Sequence, residues 1–196
     1  MALVVLLRGV NIGGHRTFRP SLLARELRHL DCVNIGAAGT FVIRGPVGRL
    51  QLRAEIARRL PFITEVVICD GRDIVRLMAG DALAGMRMPP HTVRFLSVLS
   101  RRPRLAPTLP LTLPARGPWL LKVVARDGRF VHGLYRPDMK VIGYLGALDK
   151  RFGVPMTSRG WSTIEKVAKI VAGERGAKDL STPKSRPVRS GRRRAR

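Results

Sequence analysis

The sequence predicts an α+β protein in four parts. These are a ferredoxin-like βαββαβ subdomain (residues 1–80), a connector (81–90), a second subdomain of antiparallel β-structure with two helices (91–172), and a disordered Arg-rich tail (173–196). Three observations predict it. In the first 80 residues, short apolar runs alternate with amphipathic stretches in the order strand, helix, strand, strand, helix, strand. Between residues 91 and 134, three β-rich runs are punctuated by prolines and by an Asp-Gly turn. From residue 173, Gly, Ser, Pro and basic residues leave almost nothing apolar to bury.

Residues 3–7 are wholly aliphatic and read as a strand. Pro20 suits a first helical position, and Leu23, Leu27 and Leu30 share one face of a helix over 20–30. Residues 33–36 and 39–44 form a hairpin through Ala37-Ala38-Gly39. After Gly45-Pro46, Leu50, Ala54, Ala57 and Leu60 line a second helix that stops at Pro61, and residues 65–69 make a fourth strand. Right-handed crossovers put the first and third strands at the centre, as the aliphatic first strand also suggests. Cys32 and Cys69 then lie on opposite edges, out of disulfide reach, and fit a reducing compartment.

A short helix over 73–79 precedes the connector, and residues 91–99 open the second unit as a strand. Five prolines between 103 and 118 argue against regular structure there. Residues 119–125 and 129–134 flank Arg126-Asp127-Gly128, a tight hairpin signal. A helix over 139–152 runs through Ile142, Leu145 and Phe152, and close packing on the sheet is expected to account for its Gly143 and Gly146. Ser162-Thr163-Ile164-Glu165 has the form of a capping box, starting a last helix with Ile164, Val167, Ala168 and Val171 inward.

Charge is the strongest functional signal. The chain has 37 basic against 13 acidic residues, a net +24. The tail carries nine basic and two acidic residues, so +24 less +7 leaves +17 on residues 1–172. Such an excess points to nucleic acid or another polyanion, with Arg186, Arg189, Arg192, Arg193, Arg194 and Arg196 as tail contacts. A general bias toward Arg would explain the Arg-to-Lys ratio but not the shortage of acids. Aromatic residues make up only 5%, and no basic strand interleaves them, which disfavours base-reading recognition of single strands. No basic n-region precedes residues 3–7 and no apolar run reaches membrane-spanning length, so a soluble cytoplasmic protein without a membrane span is expected.

The junction after the first strand, Arg8-Gly9-Val10-Asn11-Ile12-Gly13-Gly14, is the best candidate for a small anionic ligand. Arg8, Gly9, Asn11, Gly13 and Gly14 offer backbone N–H groups and a guanidinium, and Arg159 and Trp161 converge on them if the second unit closes over the first sheet. The spacing is neither a P-loop nor a dinucleotide fingerprint, and glycines there also serve a tight turn. Trp161 can stack a base or sugar, or close the core as a lid. The histidines at 15, 29, 91 and 132 lack ligand spacing and no nucleophile elbow is present, so neither a metal, a cofactor nor a hydrolytic triad is expected.

Two stretches together resemble domain-of-unknown-function family 1697 of bacterial proteins. They are residues 6–14, Leu-Leu-Arg-Gly-Val-Asn-Ile-Gly-Gly, and residues 157–164, Thr-Ser-Arg-Gly-Trp-Ser-Thr-Ile. The resemblance spans about residues 1–172 and implies a two-part α+β fold without a settled activity. This chain departs from it where Ala37-Ala38-Gly39-Thr40 replaces a polar Gln-Ser-Gly-Asn turn, and where Val141-Ile142 stands in place of a Ser-Lys pair. Both changes remove polar groups from a site that the family would share.

Overall fold

A computed structural model describes residues 1–11, 18–104 and 107–173. The first unit contains β1 (Leu3–Leu7), α1 (Pro20–Glu26), β2 (Cys32–Asn34), β3 (Thr40–Ile43), α2 (Arg49–Arg59) and β4 (Val66–Asp70). Its four strands are antiparallel in the order β2-β3-β1-β4, with β1 and β3 central as expected. Leu3, Val5 and Leu7 point to one face and pack with Leu23, Leu27, Leu52 and Ile56 of the helical side. Val4 and Leu6 point to the other and join a different cluster. Covered on both faces, β1 has no position for a polar side chain.

The covering of that second face comes from the rest of the chain. α3 (Gly71–Ala79) leads to β5 (Val93–Leu99), β6 (Leu111–Leu113), β7 (Leu121–Asp127), β8 (Phe130–Tyr135), α4 (Lys140–Phe152), β9 (Met156–Gly160) and α5 (Trp161–Val171). The second sheet runs β6-β7-β8-β5-β9, all pairs antiparallel. Leu96, Val98 and Phe130 of this sheet meet Val4, Leu6, Val42 and Val67 of the first, with Ile164, Val167 and Ile170 of α5 in the same cluster. On its far side Phe95, Leu99, Val123 and Val131 pack against Val141, Leu148 and Phe152 of α4. At Gly133 the sheet passes directly beneath Phe95, where an added Cβ would overlap the ring and the Lys122 carbonyl.

Several local expectations are corrected. The first helix ends at Glu26 and continues only as a 3₁₀ turn, Arg28–Leu30, closed by Asp31 in the left-handed region. α2 buries Leu52 and Ile56, whereas Leu50 is 86% exposed and Ala54 and Ala57 face solvent. The stripe chosen from residue 50 was displaced because its two alanines contribute little area beside a leucine and an isoleucine. The proline-rich stretch does contain a strand, β6, since Pro110 and Pro114 flank it and it lies at a sheet edge where a missing donor costs nothing.

In the hairpin, Asp127 pairs with Phe130, so the two turn residues are Gly128 and Arg129 rather than Asp127 and Gly128. Gly128, at φ +54°, takes the first central position, which glycine alone fills without strain. Gly143 and Gly146 are exposed, with nothing near where a Cβ would be, so close packing does not explain them. No capping box forms either. α5 starts at Trp161 with Gly160 as its N-cap and no side-chain cap, which moves Ser162 inside the first turn.

Candidate functional site

β1 ends in the loop that carries the predicted ligand residues, and β9 lies beside it through its alternation. Thr157 and Arg159 face the first sheet while Met156 joins the α4 side. The second unit therefore does close over the first at this point. Arg159 is buried without a carboxylate. Its Nε donates to Thr40 Oγ1 (2.6 Å), Nη1 to Thr157 Oγ1 (2.8 Å) and the Ser158 carbonyl (2.8 Å), and Nη2 to the carbonyls of Leu7 (2.8 Å) and Ala38 (2.7 Å). With a longer contact from Nη2 to the Gly39 carbonyl (3.3 Å), its five N–H donors meet six acceptors. Burial pushes its pKa down to about 10, so it stays charged at neutral pH.

Arg8 sits one residue beyond that Leu7 carbonyl. Its Nη2 pairs with the Asp149 carboxylate of α4, and its Nε donates to the Met156 carbonyl (3.2 Å). Asp149 also accepts from the Met156 N–H (3.0 Å), so one carboxylate ties α4, β9 and the end of β1 together. Gly9 has φ +62°, a conformation natural to glycine. Asn11 adopts φ +55° and bonds to Phe18 and to Ala37 of the β2–β3 turn. Its Nδ2 donates to the carbonyls of Phe18 (3.1 Å) and Ala37 (2.7 Å), and its Oδ1 accepts from the Phe18 N–H (2.9 Å). Gly13 and Gly14 lie outside the described residues.

Trp161 packs on the shared core beneath Arg94, whose guanidinium lies 3.4 Å from the ring centroid. Arg94 forms a bidentate pair with Asp81 of the connector, with Nη1 to Oδ2 at 2.7 Å. That hydrogen bonding holds the Asp81 carboxyl below its usual pKa against the opposing effect of desolvation. The indole is thus a lid between a cation and the core. Both thiols are pushed up to about 12, by burial first and by the charge of Asp31 in the case of Cys32, so neither supplies a thiolate nucleophile. Among the described residues, no three His, Cys, Asp or Glu side chains gather around a common point.

A different arrangement stands out at the far end of α4. Arg101, Arg102 and Arg104 of the β5–β6 loop face Lys150 and Arg151 of the last helical turn across a half-open cavity of about 690 Å³, floored by Phe152, Gly153 and Val154. All five basic side chains are exposed. Among the described residues none of them is in an ion pair, whereas Asp31, Glu55, Asp70, Asp73, Asp81 and Asp149 are each matched to an arginine elsewhere. Neither Arg8 nor Arg159 lines this cavity. The sequence reading missed it because its two halves are about fifty residues apart; the only local signals are the Arg-Arg-x-Arg run and the Lys-Arg step. The tail arginines 186, 189, 192, 193, 194 and 196 lie outside the described residues.

Fold and surface together define a two-sheet α+β protein with buried arginine clasps and an unpaired basic cavity. A protein similar in fold is a conserved bacterial protein from Streptococcus pneumoniae. It is 14% identical, with a TM-score of 0.55 over 87% of this chain and 98% of that one, a likeness that speaks for the fold alone. No family model and no curated protein matches the chain.

Proposed function

We propose that the chain is a cytosolic member of domain-of-unknown-function family 1697 that binds nucleic acid or another polyanion without base specificity, through its basic surface and its 173–196 segment. One observation carries this reading. Most of the described carboxylates, Glu26, Asp31, Glu55, Asp70, Asp73, Asp81 and Asp149, are held in ion pairs elsewhere, while five cations stand together at the 101–104 and 150–151 cavity with no ion-pair partner among the described residues. Elementary electrostatics gives such a surface an attraction for phosphates that is strong at low salt and independent of sequence. The rival reading, a small-ligand site at residues 8–14, draws less support, because Arg8 is engaged by Asp149 and every donor of Arg159 is satisfied within the chain.

The test is duplex-DNA affinity measured against salt concentration. The logarithm of the association constant should fall linearly with the logarithm of salt. Replacing Arg192, Arg193 and Arg194 by Ala should flatten that slope by up to about 2.7, given roughly 0.9 per phosphate neutralised. Absence of binding at about 50 mM salt would remove nucleic acid as the partner. Sedimentation with anionic liposomes under the same conditions would then reassign the charge to a lipid surface.

A further inference from the structure

We infer that the cavity between the β5–β6 loop and the C-terminal end of α4 is a discrete site for two or more linked phosphates. The ligand class rests on the polyanion reading above; what is added is a place and a stoichiometry. The argument begins with the cost of the empty site. Five cations share the rim of one concavity of about 690 Å³, and nothing on its floor is acidic. Among the lining residues the opposing field is that of α4, whose C-terminal end carries about half a negative charge and favours Lys150 and Arg151 in its last turn. Half a charge does not balance five, so about four and a half positive charges remain to be met by a ligand.

A single phosphate monoester brings about −1.5 to −2 and leaves most of the excess standing, whereas a chain of three linked phosphates, or about four to five backbone phosphates at one charge each, comes close to matching it. The volume agrees, since a site of this size lies within the roughly 300–1,000 Å³ of small-ligand pockets. Arginine predominates among the lining cations, and its planar fork engages two phosphate oxygens at once. Phe152 and Val154 beneath are buried, so the floor is a fixed apolar surface that lowers the local dielectric under the charges. Linked phosphates come from two sources, a free nucleoside polyphosphate and a nucleic-acid backbone, and the chemistry recognised is the same.

The experiment uses the full-length chain at about 100 mM salt, where attraction over distances beyond roughly 10 Å is largely screened and a diffuse charge effect fades. Binding of tripolyphosphate, ATP and a short DNA duplex is measured by calorimetry for the wild type and two triple variants of equal charge. The cavity variant is Arg102→Ala, Lys150→Ala, Arg151→Ala; the control is Arg25→Ala, Arg28→Ala, Arg72→Ala, whose exposed side chains lie on α1, the 3₁₀ turn and α3. The cavity variant should weaken tripolyphosphate by at least about tenfold, the scale of one lost charged hydrogen bond, and the control should barely change it. Its ligand-free melting temperature should rise, because like-charge repulsion is relieved.

If ATP binds as tripolyphosphate does, the source is a free polyphosphate; if tripolyphosphate and duplex both bind through the cavity residues and ATP does not, it is the backbone. Equal weakening in both variants would overturn the site and leave the polyanion reading intact. So would duplex binding without any affinity for tripolyphosphate or ATP that depends on the cavity residues. Loss of all three ligands in the wild type would bring down both.

Discussion

At the scale of single residues the buried polar groups decide the behaviour. His132 on β8 is fully buried, and neither ring nitrogen has a hydrogen-bond partner among the described residues. Burial and then the charge of Arg94 hold its pKa below the ordinary 6.5, against smaller opposing effects of Asp81 and Asp127. The folded state therefore binds fewer protons than the unfolded one just below that value, and stability should fall as pH drops from 6.5, by at most about 1.4 kcal/mol per pH unit. Asp81 acts in a lower window, since its depressed carboxyl loses its contribution only as pH falls through and below 3.8. Urea midpoints between about pH 7 and pH 5 will show the decline, and His132→Leu should abolish it while leaving the protein as stable or more so, because no hydrogen bond is lost. A wild type with a flat profile across that range would contradict the assignment. None of this was legible from the sequence, where His132 is one of four scattered histidines; its environment comes from Arg94 on β5 and Trp161 on α5.

At the scale of elements, what could be read was what is local. The aliphatic run of β1 and the turn glycines placed the four strands of the first sheet and their order, since each signal lies within a few residues of its effect, whereas the prolines around β6 concealed that strand. The stripe on α2 and the capping box on α5 failed because neighbouring segments chose between near-equivalent registers. α5 begins two residues early, where β9 hands over to it at Gly160 without a break, and Ser162 is then no longer at the end. α4 offers the clearest test at this scale. With Gly143 and Gly146 exposed and open space where a Cβ would lie, Gly143→Ala and Gly146→Ala should each raise stability by about 0.5–1 kcal/mol through helix propensity alone. Together they should lift the melting temperature by roughly 2–8 °C for a chain of this size. A fall would mean that the two glycines serve an approach by something outside the chain.

At the scale of the molecule, the two sheets are joined by more than apolar contact. Arg159 reaches from β9 to the Leu7 carbonyl of β1, and Arg129 at the other hairpin donates to Leu99 (2.8 Å) and across to Ile68 of β4 (3.2 Å). These guanidiniums are held by backbone carbonyls up to about 150 residues away, which carry no side-chain signature, so no reading of the sequence singles them out as clasps. Because one apolar cluster spans both sheets and α5, the described chain should unfold in a single step. Far-ultraviolet circular dichroism and the fluorescence of Trp119 and Trp161 should report the same midpoint. Two separated transitions would mean that each half holds its own core. Residues 1–80 expressed alone should bind a hydrophobic dye, since Val4, Leu6, Val42 and Val67 lose their cover.

The position of α5 in that cluster also bears on how the chain is made. Its inward residues Ile164, Val167 and Ile170 close a face whose other members, Val4 to Val67, leave the ribosome about a hundred residues earlier. At roughly 5–20 residues per second, the first sheet waits some 5–20 s with one apolar side incompletely covered. Vectorial synthesis therefore presents a half-finished sandwich to the cell, and yield during expression should depend on chaperone supply and translation speed more than on the stability of the finished protein.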